Sequence, residues 1–119
     1  MIPLFAILIS LALATTPAVA QNAREAGFAK LRILDRTSGE LLDVDLPQGR
    51  SMEIGGLDVS LRSCRYRDGN ISGNGFAYLD VTDTKADVVV FSGWMMSSAP
   101  ALNPLEHPRY DVWLVRCKN

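Results

Sequence analysis

The sequence predicts an all-β domain, a small β-sandwich or partly open β-barrel of about seven short strands with one disulfide. Three observations predict it. Apolar and polar residues alternate in short runs that recur roughly every 8 to 15 residues. Gly, Asn, Asp and Pro punctuate those runs, with no amphipathic helical stretch between them. The chain of 119 residues has two cysteines, Cys64 and Cys117. They follow what reads as an export signal, so they are expected to pair in an oxidising compartment.

The export signal comes first. Residues 1–20, MIPLFAILISLALATTPAVA, carry no charged side chain. An apolar run over 2–14, then Pro17, then Ala18-Val19-Ala20 matches a signal peptide cleaved after Ala20, although no Lys or Arg stands near Met1. The apolar run is too short to span a bilayer comfortably. No cysteine follows Ala20 to carry a lipid. A single mature domain over 21–119 is therefore expected, periplasmic and not membrane-spanning.

Residues 21–27 are polar and read as a loose N-terminus. KLRILD (30–35) and LDVDL (42–46) are two strands around a turn at 37–40, a hairpin. Pro47-Gln48-Gly49 ends the second. SMEI (51–54) is a short strand turned by Gly55-Gly56. Leu57, Val59 and Leu61 then alternate with Asp58, Ser60 and Arg62. Strict alternation would leave Cys64 on the polar face, so a bulge near Arg62-Ser63 is expected to rotate it inward. DGNISGNG (68–75) reads as an exposed loop, because its glycines and asparagines adopt positive φ cheaply. Residues 76–81 form a strand and 82–87 a polar connection. VVVFSGWM (88–95) reads as a central strand buried on both faces. Residues 110–117 form the last strand, with Tyr110, Val112 and Leu114 on one face and Asp111, Trp113, Val115 and Cys117 on the other.

Between those last two strands lies the densest chemistry. Residues 93–117 hold both tryptophans, three of the six prolines and the only histidine. Pro100, Pro104 and Pro108 exclude a long helix. A single helical turn fits around Ala101-Leu102-Asn103, with Met95, Met96, Leu102 and Leu105 as apolar anchors over one end of the fold. Ser98, His107 and Asp111 offer the residue types of a nucleophile, a base and an orienting carboxylate, but no G-x-S-x-G elbow accompanies them. Glu106, His107 and Asp111 lack the spacing of a metal site, and no metal or cofactor is expected. A catalytic thiol is disfavoured, since neither cysteine has a neighbouring histidine and the pair is not C-x-x-C. Twelve basic and 13 acidic side chains nearly cancel and are interspersed, which disfavours nucleic acid as a partner.

These residues also carry a resemblance. Gly93-Trp94-Met95, Ser98, Pro100-Ala101-Leu102-Asn103, Leu105-Glu106-His107-Pro108, Tyr110-Asp111-Val112-Trp113 and Cys117 resemble the C-terminal signature of the DUF2155 family, small exported proteins of alphaproteobacteria. The run from Leu57 to Cys64 resembles the family's first-cysteine strand. The glycine-rich 68–75 departs from relatives, which are often richer in proline and glutamate there. The resemblance implies no substrate and no catalytic residue. Through the placement of family genes beside a small accessory subunit of respiratory complex I, it implies a protein partner in the cell envelope, with complex I as the candidate.

The expected function is a non-catalytic periplasmic protein-binding domain, an accessory subunit of a membrane complex. Trp94, Met95, Met96, Leu102, Glu106, His107 and Tyr110 are the candidate partner-binding residues. The alternatives are a cell-envelope hydrolase centred on Ser98, His107 and Asp111, or a small-ligand carrier using the barrel mouth.

Overall fold

The computed structural model describes residues 23–119; the signal-peptide and cleavage readings fall outside them. The fold is all-β, two antiparallel sheets with eight strands among the described residues. The strands are β1 (Ala23–Glu25), β2 (Phe28–Asp35), β3 (Leu41–Pro47), β4 (Ser51–Ile54), β5 (Leu57–Arg67), β6 (Asn70–Asp83), β7 (Val88–Met96) and β8 (Tyr110–Lys118). One sheet runs β1-β5-β6-β7, with β4 also paired to β5; the other runs β3-β2-β8. No helix among the described residues is long and apolar enough to cross a membrane.

Alternation decides what enters the core. Leu57, Val59 and Leu61 of β5, Ala77, Leu79 and Val81 of β6, Leu31 and Ile33 of β2, and Val112 and Leu114 of β8 form one buried cluster drawn from both sheets. Burying a leucine side chain of this kind stabilises by roughly 1.5–3 kcal/mol.

The disulfide Cys64–Cys117 ties the two sheets together, and both cysteines are fully buried. Each reaches the interior through a bulge. On β5, Leu61 faces Leu79 and Ser63 faces Tyr78, so Arg62 is the extra residue. This is the bulge the buried cysteine required. A second one was not foreseen. Lys30 faces Arg116 and Leu31 faces Leu114, which leaves Val115 unopposed on β8. That residue shifts the alternation and brings Cys117 onto the face of Val112 and Leu114, opposite to the face strict alternation assigned it.

Three further expectations are corrected. The N-terminal residues are not loose throughout: Ala23, Arg24 and Glu25 pair with Arg67, Tyr66 and Arg65, and Glu25 accepts from Ser63 Oγ (2.9 Å) and Gln48 Nε2 (3.1 Å). The glycine-rich run is mostly strand. Its turn is only Asp68-Gly69, and β6 begins at Asn70. Tyr66 faces Gly75 while Arg67 faces Asn70, so residues 71–74 bulge out of the ladder. Ser97 fastens that bulge: its Oγ accepts from Gly75 N–H (2.8 Å) and bonds Asn74 Oδ1 (3.2 Å), and its N–H donates to Gly75 O (2.9 Å). Gly75 is required there by proximity, since a Cβ would lie 3.1 Å from Cys117 Sγ and 3.2 Å from Cys117 N. Finally, β7 is an edge strand, not a central one. Among the described residues β6 is its sole ladder partner, and Val88 and Val89 are 52% and 62% exposed. An unbroken apolar run reports affinity for a pleated surface and does not say which side of a sheet it occupies.

Candidate functional site

His107 sits where the connection from β7 to β8 returns to the sheets. The connection contains one 3-10 turn, Pro100–Leu102, where a single helical turn was expected. Leu105 is its buried anchor. His107 Nδ1 accepts the backbone N–H groups of Arg109 (3.0 Å) and Tyr110 (3.2 Å). Those donors place the ring proton on Nε2, which donates to Asp83 Oδ2 at 2.8 Å. Asp83 is held below its usual carboxylate range, chiefly by this bond and then by the N–H of Ala86. The imidazole, 7% exposed, thus binds the start of β8 to the end of β6.

That arrangement leaves little for catalysis. The carboxylate on His107 is Asp83, not Asp111. Asp111 is engaged by Arg36, whose Nε reaches Oδ2 at 2.9 Å and whose second guanidinium nitrogen bonds Oδ1. Ser98 is exposed and its N–H donates to Asn74 Oδ1 (3.1 Å). No hydrogen bond joins Ser98, His107 and Asp111 among the described residues, so the triad is not assembled. Both ring nitrogens of His107 are occupied, which leaves no lone pair for a metal. A cleft of about 500 Å³ beside His107 is lined by Gly55, Gly56, Asp83, Lys85, Arg109 and Tyr110, with Thr84. Its one aliphatic hydroxyl, on Thr84, donates to Gly56 O (3.1 Å). Arg109 is bound to Asp35, holding that carboxyl down at about 2 together with the N–H groups of Thr37 and Ser38.

A different surface gathers on the outer face of the five-stranded sheet. Register places Tyr78 beside Trp94 and Phe76 beside Met96, with Arg65 beside Phe76. The rings of Tyr78 and Trp94 meet edge to face, centroids 5.3 Å apart at 89°. Arg62 lies over Tyr78 at 5.2 Å and Arg65 over Trp94 at 5.5 Å, cation–π distances. Asp80 steadies Arg62 (2.6 Å) and Glu25 stands 3.6 Å from Arg65. Trp94 is 38% and Phe76 36% exposed. Met96 is half-buried.

The candidate partner-binding residues therefore divide. Trp94 and Met96 lie on this outer face. Leu102 is 74% exposed on the adjoining 3-10 turn, whose neighbour Asn103 donates Nδ2–H to Trp94 O (2.8 Å). Glu106 is exposed. Met95 points the other way and is 3% exposed, a core residue. Tyr110 is buried, its hydroxyl accepting Gly56 N–H at 3.1 Å. Phe76, Tyr78, Arg62 and Arg65 belong to the surface and escaped the sequence reading. The signal was present: in FAYLDV, burying Ala77, Leu79 and Val81 forces Phe76 and Tyr78 outward.

Comparison with known proteins adds kinship without chemistry. A family model described as "Uncharacterized protein conserved in bacteria (DUF2155)" matches residues 29–117. The "Uncharacterized protein RP359" of Rickettsia prowazekii (strain Madrid E) is 24% identical over 91 residues, covering 74% of this chain and 59% of that relative. The chain thus spans about three-fifths of the length of the curated relative it matches. No solved structure matches.

Proposed function

The chain belongs to the DUF2155 family, and from that premise we propose that it is a non-catalytic protein-binding domain of the cell envelope. Its recognition surface is the outer face of the five-stranded sheet. The observation that supports this reading is the outward-facing cluster of Trp94 and Phe76, both exposed, with the half-buried Tyr78 and Met96 beside them, and with Arg62 over the Tyr78 ring and Arg65 over the Trp94 ring. Aromatic side chains and arginine are enriched among the residues that dominate the binding energy of protein interfaces, the aromatics because they bury large areas at small entropic cost.

The domain acts in the periplasm as an accessory subunit, and respiratory complex I is the first partner to test. Affinity purification of the tagged chain from its native membranes in mild detergent should recover one defined envelope complex in stoichiometric yield. Trp94→Ala should abolish that recovery while the purified variant keeps its fold. Recovery of the chain alone, or undiminished recovery with Trp94→Ala, would refute the proposal.

A further inference from the structure

Hydrogen-bond donors without acceptors gather in the cleft beside His107, where the β4–β5 turn, the β6–β7 connection and the start of β8 meet. Tyr110 is 7% exposed, and its hydroxyl lies under the glycine turn. Gly55 is there by necessity: its φ is +59° and a Cβ would stand 2.5 Å from that hydroxyl. The hydroxyl oxygen accepts Gly56 N–H (3.1 Å), and among the described residues its own proton meets no acceptor. Arg109 gives Nε and Nη2 to Asp35 and lies over the Tyr110 ring at 5.3 Å, so its guanidinium is held in place with Nη1 unused. Lys85 lines the same cleft and forms no ion pair among the described residues. The neighbouring acceptors are taken. Asp83 Oδ2 accepts from His107, and Oδ1 accepts the N–H groups of Lys85 and Ala86. Gly56 O accepts both the N–H and the hydroxyl of Thr84. A buried O–H left without an acceptor costs free energy that a ligand can recover.

We propose that this cleft binds a small organic oxyanion, a carboxylate or a phosphate ester. The class follows from the unspent groups. A guanidinium and an ammonium only donate, and the Tyr110 hydroxyl has its proton to give. A ligand that only accepts satisfies all three, and donors on charged groups hold an anion more strongly than a neutral carbonyl. The volume, about 500 Å³, is in the range of small-molecule sites and exceeds what an inorganic ion needs. Asp35 and Asp83 offset the charges of Arg109 and Lys85. Affinity therefore rests on placed donors and not on a net field, and small probes bind with a Kd on the order of 1 mM. The cleft shares no residue with the outer aromatic face, so this site stands or falls independently of the protein-binding proposal.

Nuclear magnetic resonance titration of the purified, isotope-labelled chain at constant ionic strength tests it. The probes are succinate and phenyl phosphate, with succinamide as the uncharged control, each up to roughly 50 mM. The backbone amide signals of Gly55, Gly56, Lys85 and Arg109 should move and saturate with at least one oxyanion and stay still with succinamide. Which oxyanion binds decides between carboxylate and phosphate. Lys85→Ala, at an exposed position, should weaken binding about tenfold with Tm unchanged. Tyr110→Phe should weaken it to a similar extent, and if that variant loses its fold, Lys85→Ala alone decides. No saturable shifts with either oxyanion, shifts that succinamide reproduces, or a Kd indifferent to Lys85→Ala would each overturn the proposal.

Discussion

Replacing both Cys64 and Cys117 by alanine should remove a large part of this protein's stability. The bond closes a loop of 53 residues. The chain entropy it withholds from the unfolded state is worth about 4 kcal/mol at 25 °C. A domain of this size has a total stability on the order of 5–15 kcal/mol. The unfolding entropy of a domain this long is about 0.2 kcal/mol/K, so the loss corresponds to roughly 20 °C in Tm. Thermal scans and urea titrations of the parent and the double variant would measure it. The urea slope should also rise in the variant, because an uncrosslinked unfolded chain exposes more surface. Both sulfurs are buried, so reductant added to the folded parent should act only as fast as the protein opens. A fall in Tm of only a few degrees with an unchanged slope would refute the reasoning. The two sheets would then be held by their apolar contacts, with the crosslink redundant.

Met95→Ala should cost about 2–5 kcal/mol by opening a cavity in the core, while Trp94→Ala, one residue away on the outer face, should cost about 1–2 kcal/mol; urea denaturation of both separates core from surface, and equal losses would place Trp94 in the core. Gly75→Ala should destabilise by roughly 1–3 kcal/mol, because its Cβ meets the Cys117 backbone as well as its sulfur; a neutral result by thermal scan would show that β6 and β8 can separate without loss. Asp35, held at about 2, contributes stability that is fully present above about pH 4 and is lost as pH falls towards 2. Arg109→Ala should raise that carboxyl and move the acid-unfolding midpoint to higher pH, as followed by circular dichroism, whereas an unmoved midpoint would show that the turn's N–H groups alone hold Asp35 down.

Local physics was legible and long-range placement was not. The β2–β3 hairpin with its turn, the short strand turned at Gly55-Gly56 and the helical turn in the last connection follow from residues close in sequence. The Arg62 bulge could be inferred because a disulfide needs Cys64 inside while alternation put it outside. Val115 offered the same inference for Cys117, but the stretch Trp113-Leu114-Val115 is apolar on both sides, so no polar residue flagged the shift. The strand in residues 23–25 depends on pairing with Arg65, Tyr66 and Arg67, some forty residues later, and its own composition is weak. The edge position of β7 is a property of topology, invisible to composition. At the candidate site, residue types misled. His107 and Asp111 are near in sequence, yet each takes a distant partner, Asp83 and Arg36. The outer aromatic face was encoded in simple alternation along β6.

The position of β8 has a consequence for how the chain is built. The sheet to which it belongs has β2 at its centre, and β2 is complete on one side only when β8 arrives. All five strands of the other sheet precede β8 in the chain, so a chain emerging N-terminus first can assemble that sheet and the β2–β3 hairpin early. It must then hold Leu31, Ile33 and Cys64 uncovered until the last strand docks. Closing contacts so distant in sequence is slow. The interval before β8 docks is therefore the stage at which the nascent protein is expected to need a chaperone and an oxidant at hand.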